Sequence, residues 1–87
     1  MKPTTSIRAT VIVRLKPEVL DPQGTAVQRA LGRLGFQGVK NVRIGKIVEI
    51  ELDDDGSNDA DLKDRLAKMA TEMLANPVIE DFEAKIS

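Results

Sequence analysis

From Ile7 to Leu15 the apolar residues Ile7, Ala9, Val11, Val13 and Leu15 take the odd positions, while Arg8, Thr10 and Arg14 take even ones. A period of two predicts a strand with one buried face. Ile12 breaks the alternation, an apolar residue on the side that should meet water. Pro17 cannot donate to a ladder and ends the strand. The period then changes within the five residues Leu20-Asp21-Pro22-Gln23-Gly24. Beyond them Val27, Ala30, Leu31 and Leu34 recur at i, i+3, i+4 and i+7, the stripe of an amphipathic helix. Asp21 has the side-chain oxygen an N-cap needs, and Pro22 stands where a missing N–H costs nothing. At the other end Gly35 is placed for a left-handed C-cap, with Phe36 able to fold back on the last turn. Gly24 breaks the local rule. In the first turn it costs roughly 1 kcal/mol relative to Ala, which marks it as a position for close approach by another backbone. If its backbone is helical, Gly24→Ala is expected to stabilise the free chain by a few tenths to about 1 kcal/mol.

Over residues 39–52 the apolar side chains keep even parity, at Val42, Ile44, Val48, Ile50 and Leu52. One continuous strand would place Lys46 on the buried face. A hairpin with Gly45, Lys46 and Ile47 as its loop turns Lys46 outward and is the preferred reading, with a strongly bulged, bent strand at Gly45 as the alternative. Asp53-Asp54-Asp55-Gly56-Ser57 lacks the alternating ligands and distant Glu of a calcium loop and is predicted as a solvated turn. Asn58 or Ser57 caps a second helix, whose expected buried stripe is Leu62, Leu66, Met69 and Met73, with Leu74 beside it. Asn76-Pro77 terminates that helix. A last strand from Val78 to Ile86 puts Phe82, Ala84 and Ile86 on one face and Ile79, Asp81, Glu83 and Lys85 on the other. Glu80 falls on the face that should be buried.

Residues 1–87 form one predicted domain of the α+β class. The order strand, helix, strand, strand, helix, strand, with one apolar side per element, predicts a ferredoxin-like βαββαβ unit: a four-stranded antiparallel sheet with two helices on one face. The other sheet face is left open, and Ile12, Ile47 and Ile79 on it suit cover by a second copy, which predicts a homo-oligomer, a dimer or a tetramer. With the two helices taken as parallel, the strings at 21–24 and 76–81 are expected at opposite ends of the domain.

Composition narrows the chemistry. The chain is 41% hydrophobic with only Phe36 and Phe82 as aromatics, so its core is aliphatic. A net charge of −1, from 13 basic and 14 acidic residues, provides no single-sign field for a phosphate backbone or an anionic membrane. Without Trp or Tyr there are no stacking platforms of the usual kind for single-stranded nucleic acid. No nucleic-acid or membrane partner is predicted. Cysteine and histidine are absent, which removes disulfides, the usual zinc ligand sets, thiol nucleophiles and His-based acid/base catalysis. No signal-peptide core or membrane-length apolar run interrupts the pattern, so a cytoplasmic location is expected. No catalytic, cofactor-binding or metal-binding residue is predicted.

Four strings carry a family resemblance: Val19-Leu20-Asp21-Pro22-Gln23-Gly24, Leu34-Gly35-Phe36, Val42-Arg43-Ile44-Gly45-Lys46, and Leu74-Ala75-Asn76-Pro77-Val78-Ile79-Glu80-Asp81-Phe82. They span nearly the whole chain, and in that order they resemble the PurS family, small subunits of phosphoribosylformylglycinamidine (FGAM) synthase in purine biosynthesis. The resemblance implies a subunit without an active site of its own. Such subunits oligomerise and join a synthetase (PurL-type) subunit to a glutaminase (PurQ-type) subunit. The assembled ligase uses ATP and ammonia from glutamine to convert formylglycinamide ribonucleotide into the amidine, with ATP and Mg expected on the large subunit. The missing His, Cys and glycine-rich phosphate loop agree independently with a non-catalytic role. Interaction candidates are Asp21, Gln23, Gly24, Arg43, Lys46, Asn76 and Glu80. A ligand-sensing domain, binding a small molecule at a dimer interface, is the alternative that the fold class allows. An acyl-phosphate hydrolase of this fold class would need a glycine-rich anion loop after the first strand, and Arg14-Leu15-Lys16-Pro17-Glu18 offers none.

Overall fold

The alternating stretch forms β1 (Ser6–Leu15), and the helix opened at Asp21 is α1 (Pro22–Arg33). They are followed by β2 (Gly45–Asp53), α2 (Asp59–Met69) and β3 (Glu80–Ile86). These elements come from a computed structural model that describes residues 6–86. β1 is the central strand of an antiparallel sheet in the order β2-β1-β3. Its register sets Ala9 opposite Ile50, Val11 opposite Val48 and Ala84, and Val13 opposite Phe82, so the predicted apolar faces lie on one side. Ala9, Val11 and Val13 are buried there against Leu66, Ala70 and Ala75.

Three strands are present among the described residues where four were expected. The departure lies in the proposed hairpin. β2 runs unbroken through Gly45, Lys46 and Ile47, while 39–44 form no strand. Gly45 lets this happen without a turn, since a Cβ there would stand 2.7 Å from the Val13 carbonyl oxygen. A side chain would hold β2 off β1. Lys46 lies opposite Val13, on the inner side that made a continuous strand look unfavourable. It remains exposed because α1 does not cover that end of the sheet.

α1 has the predicted ends. Leu34 caps it, Gly35 takes φ +95°, and the Gly35 and Phe36 amides donate to the Gly32 and Leu31 carbonyls at 3.1 and 3.0 Å. This is the paired bonding of a Schellman motif. Its apolar stripe, however, does not lie on the sheet. Leu34 is 74% exposed and Phe36 60% exposed, and the helix runs instead beside the returning segment 39–44. Gln28 Nε2 ties the two together by donating to the Val39 and Lys40 carbonyls at 3.2 and 3.0 Å. Helix and segment make an arm leaving the sheet. The radius of gyration is accordingly 17.2 Å, against about 12 Å for a compact chain of this length.

α2 covers the sheet. Asn58 caps it, accepting from the Asp61 amide at 2.8 Å, and Leu62 and Leu66 are buried. Past Met69 the helix widens into a π-type turn, Ala70–Leu74, closed by the Ala75 amide on the Ala70 carbonyl at 2.8 Å. The extra residue in that turn rotates the stripe. Ala70 and Leu74 face the core, and Met73, expected inside, is 88% exposed. β3 starts at Glu80, two residues later than predicted, because 76–80 form a tight turn: the Ile79 and Glu80 amides both donate to the Asn76 carbonyl. No helix of the described residues is long and apolar enough to cross a membrane.

Candidate functional site

The sequence places an N-cap at Asp21, and the structure gives that side chain a second duty. Oδ1 accepts from the Gly24 amide at 2.8 Å, as a cap should. Oδ2 accepts from the Ile44 amide at 2.7 Å, at the point where the returning segment enters β2. One carboxylate therefore joins the start of α1 to the start of β2. Asp21 is the buried charged residue of the described chain. Its pKa is held below the ordinary value, first by the Gly24 amide, then by the Ile44 amide, with the Arg43 guanidinium adding to them; partial desolvation opposes the shift.

Gly24 is explained by the same junction. A Cβ on it would stand 1.9 Å from the Val42 carbonyl oxygen, so the close approach suspected from sequence is made by the chain's own backbone. The expectation that Gly24→Ala stabilises the free chain is thereby overturned. Helix propensity is outweighed by a steric contact that no side chain can fill. Arg43 closes the junction from the other side, its Nη2 donating to the Lys16 carbonyl at 2.9 Å and the Val19 carbonyl at 2.7 Å. It binds the linker between β1 and α1.

The string at 76–80 is bonded within itself. The Asn76 side chain accepts from the Val78 amide at 3.1 Å, and Glu80 accepts from the Asn76 amide at 2.6 Å. Glu80 lies opposite Leu15, beside the end of β1. The two strings expected at opposite ends of the domain thus share one end. Strand direction explains the correction: α1 starts where β1 ends, and β3, antiparallel to β1, also starts there. A cleft of about 380 Å³ opens at this end, lined by Val13, Arg14 and Leu15, by Asp21, Pro22 and Gln23, by Ile44, Gly45 and Lys46, and by Glu80. It brings Asp21, Gln23, Lys46 and Glu80 together. Gly24 and Arg43 stand behind them in the junction.

Ile12, Ile47 and Ile79 lie apart from the cleft. Ile12 and Ile47 are cross-strand partners on the outer sheet face, and Ile47 is 65% exposed, whereas Ile79, expected on that face, lies outside the sheet in the turn before β3. Around them Arg8 pairs in register with Glu51 and Arg14 with Asp81, and Arg14 reaches Glu83 at 3.7 Å. Sequence reasoning missed the second bond of Asp21 and the carbonyl clamp of Arg43. Both span more than twenty residues of chain, and neither periodicity nor capping rules carry such a signal.

These features define a class: a small α+β protein whose polar side chains at the cleft bond to backbone groups of their own chain and fix the shape of that end. The family model described as "PurS: Phosphoribosylformylglycinamidine (FGAM) synthase" matches residues 8–87, and the chain belongs to that family. The PurS subunit of Methanocaldococcus jannaschii is 44% identical over 79 residues, 91% of this chain and 93% of that protein. The PurS subunit of Bacillus subtilis is 42% identical over 79 residues, covering 91% and 90%. Among solved structures, M. jannaschii PurS aligns with a TM-score of 0.82 at 42% identity, over 93% of this chain and 95% of that one. A chain of PurLQS from Thermotoga maritima aligns at 0.81 with 27% identity, over 94% and 98%.

Proposed function

We propose that this chain is the non-catalytic PurS subunit of an FGAM synthase, joining a PurL-type synthetase and a PurQ-type glutaminase. The observation that carries the reading is the use of the polar residues at the cleft. Asp21, Arg43, Asn76 and Glu80 all bond to backbone groups of their own chain, which suits a docking shape better than a reaction centre. Relatives named as subunits of this synthase, and a structural neighbour solved as PurLQS, support the assembly role. In this reading ATP and Mg bind on the large subunit, the assembly is cytoplasmic, and the cleft residues with Lys46 and Gln23 meet partner subunits. Mixing the three purified subunits with glutamine, ATP and formylglycinamide ribonucleotide tests it. Glutamine-dependent amidine formation should require this chain. Equal turnover without it would end the proposal. A ligand-sensing role has the cleft in its favour, and equilibrium binding of amino acids and nucleotides to the isolated chain is expected to show no tight ligand.

The subunit is further proposed to be a homo-oligomer in which a second copy supplies the fourth strand. The outer edge of β2 carries no strand among the described residues, Val48, Ile50 and Leu52 beside it are only partly buried, and the arm carries an uncovered apolar stripe. Placing the arm of one copy along β2 of another covers both surfaces at once and completes the ferredoxin-like unit by exchange. Ile12, Ile47 and Ile79 then remain as a candidate contact between such units. Sedimentation of the isolated chain at micromolar concentration should give a dimer or tetramer, and a monomer of 9.5 kDa would reject the exchange.

A further inference from the structure

Exchange between copies competes with closure inside one copy, because the arm is tethered to its own sheet by residues 16–21 and by the end of the returning segment, 42–44, where it enters β2. A short tether gives an effective concentration on the order of millimolar, about a thousandfold above micromolar protein. The closed form would therefore prevail unless something holds the arm open. We propose that the junction at the base of the arm is an elbow lock that does this and so commits α1 to a second copy; the inference rests on the homo-oligomer reading above.

Both chain crossings between arm and sheet are fastened to each other. The Asp21 carboxylate, at the end of the outgoing crossing, bonds the Gly24 amide in the first turn of α1 and the Ile44 amide on the returning crossing. Arg43, on the returning crossing, grips two carbonyls of the outgoing one. Gly24 sits against the Val42 carbonyl with no room for a Cβ, so the crossings are in backbone contact as well as bonded. Swinging α1 over its own β2 would need the outgoing chain to bend back between Lys16 and Asp21, the stretch whose Lys16 and Val19 carbonyls Arg43 holds. Exchanged and closed forms share their remaining contacts, so the hinge decides between them.

Two variants test the lock by sedimentation and X-ray scattering. Asp21→Ala combined with Arg43→Ala removes the four side-chain bonds. Inserting two glycines between Pro17 and Glu18 leaves both side chains in place and lengthens the tether. Each should shift the dimer–monomer midpoint at least tenfold toward monomer, the monomer being compact, with a radius of gyration near 12 Å. Circular dichroism reports whether each variant keeps its helices, and the insertion decides the matter if the double variant does not. Folded variants that dimerise with the unaltered midpoint would overturn the lock. An unaltered chain that is itself monomeric would instead refute the exchange, which separates the two failures.

Discussion

At the scale of single residues, Gly24 and Asp21 show how one contact can reverse a local rule. Gly24→Ala should gain helix propensity of roughly 1 kcal/mol. It must also force a Cβ to within 1.9 Å of the Val42 oxygen, a backbone atom that cannot swing aside. Overpacking of this kind costs about 1–3 kcal/mol or more, so the variant is expected to unfold at lower denaturant than the unaltered chain, as urea titration will show. Asp21 makes a prediction in pH. Its folded pKa lies below the unfolded value of about 3.9, so its contribution is complete above that value and is lost as pH falls through the lowered one. Asp55 is shifted in the same direction, first by the Ser57 hydroxyl and then by its amide, and adds to the acid limb. The urea midpoint of Asp21→Asn measured at pH 7 and pH 3 should therefore change less between the two than that of the unaltered chain, with Asp55 common to both. The capping role of Asp21 was legible, because it is local. The bond to Ile44 was not, because it depends on where 39–44 return.

At the scale of elements, α1 and α2 have similar stripes and different fates. Leu66, on the sheet-facing side of α2, is fully buried, and Leu66→Ala should cost about 2–5 kcal/mol in chemical denaturation. Leu34, on α1, is 74% exposed, and Leu34→Ala should change the stability of the isolated subunit by no more than about 0.5 kcal/mol while weakening self-association in sedimentation. Periodicity revealed both helices and the inward faces of all three strands, since alternation and 3.6-residue spacing are properties of the chain alone. It could not say which surface each stripe would meet. Periodicity alone therefore predicts α1 on the sheet and a strand over 39–44, and the structure shows neither. The outward turn of Met73 was hidden for another reason: the π-type turn after Met69 inserts a residue without any Gly or Pro to mark it. Ala70 and Ala75, small and inconspicuous in the sequence, take the buried places.

At the scale of the whole molecule, the strand order β2-β1-β3 has a consequence for how the chain is made. Among the described elements the central strand is translated before its two neighbours: the first follows after α1 and the return segment, and the second only after α2. Most pairings join segments distant in sequence, the situation associated with millisecond-to-second folding. Until β3 leaves the ribosome, one edge of β1 has no strand to bond, and at ordinary elongation rates the interval after β2 is on the order of seconds. Ala9, Val11 and Val13 meanwhile lack the α2 cover that later buries them. Ribosome-arrested chains ending after β2 should accordingly bind hydrophobic-surface dyes or chaperones, and chains extended past Ile86 should lose that binding. Translation order thus leaves one edge of the central strand open longest, until β3 emerges to close it.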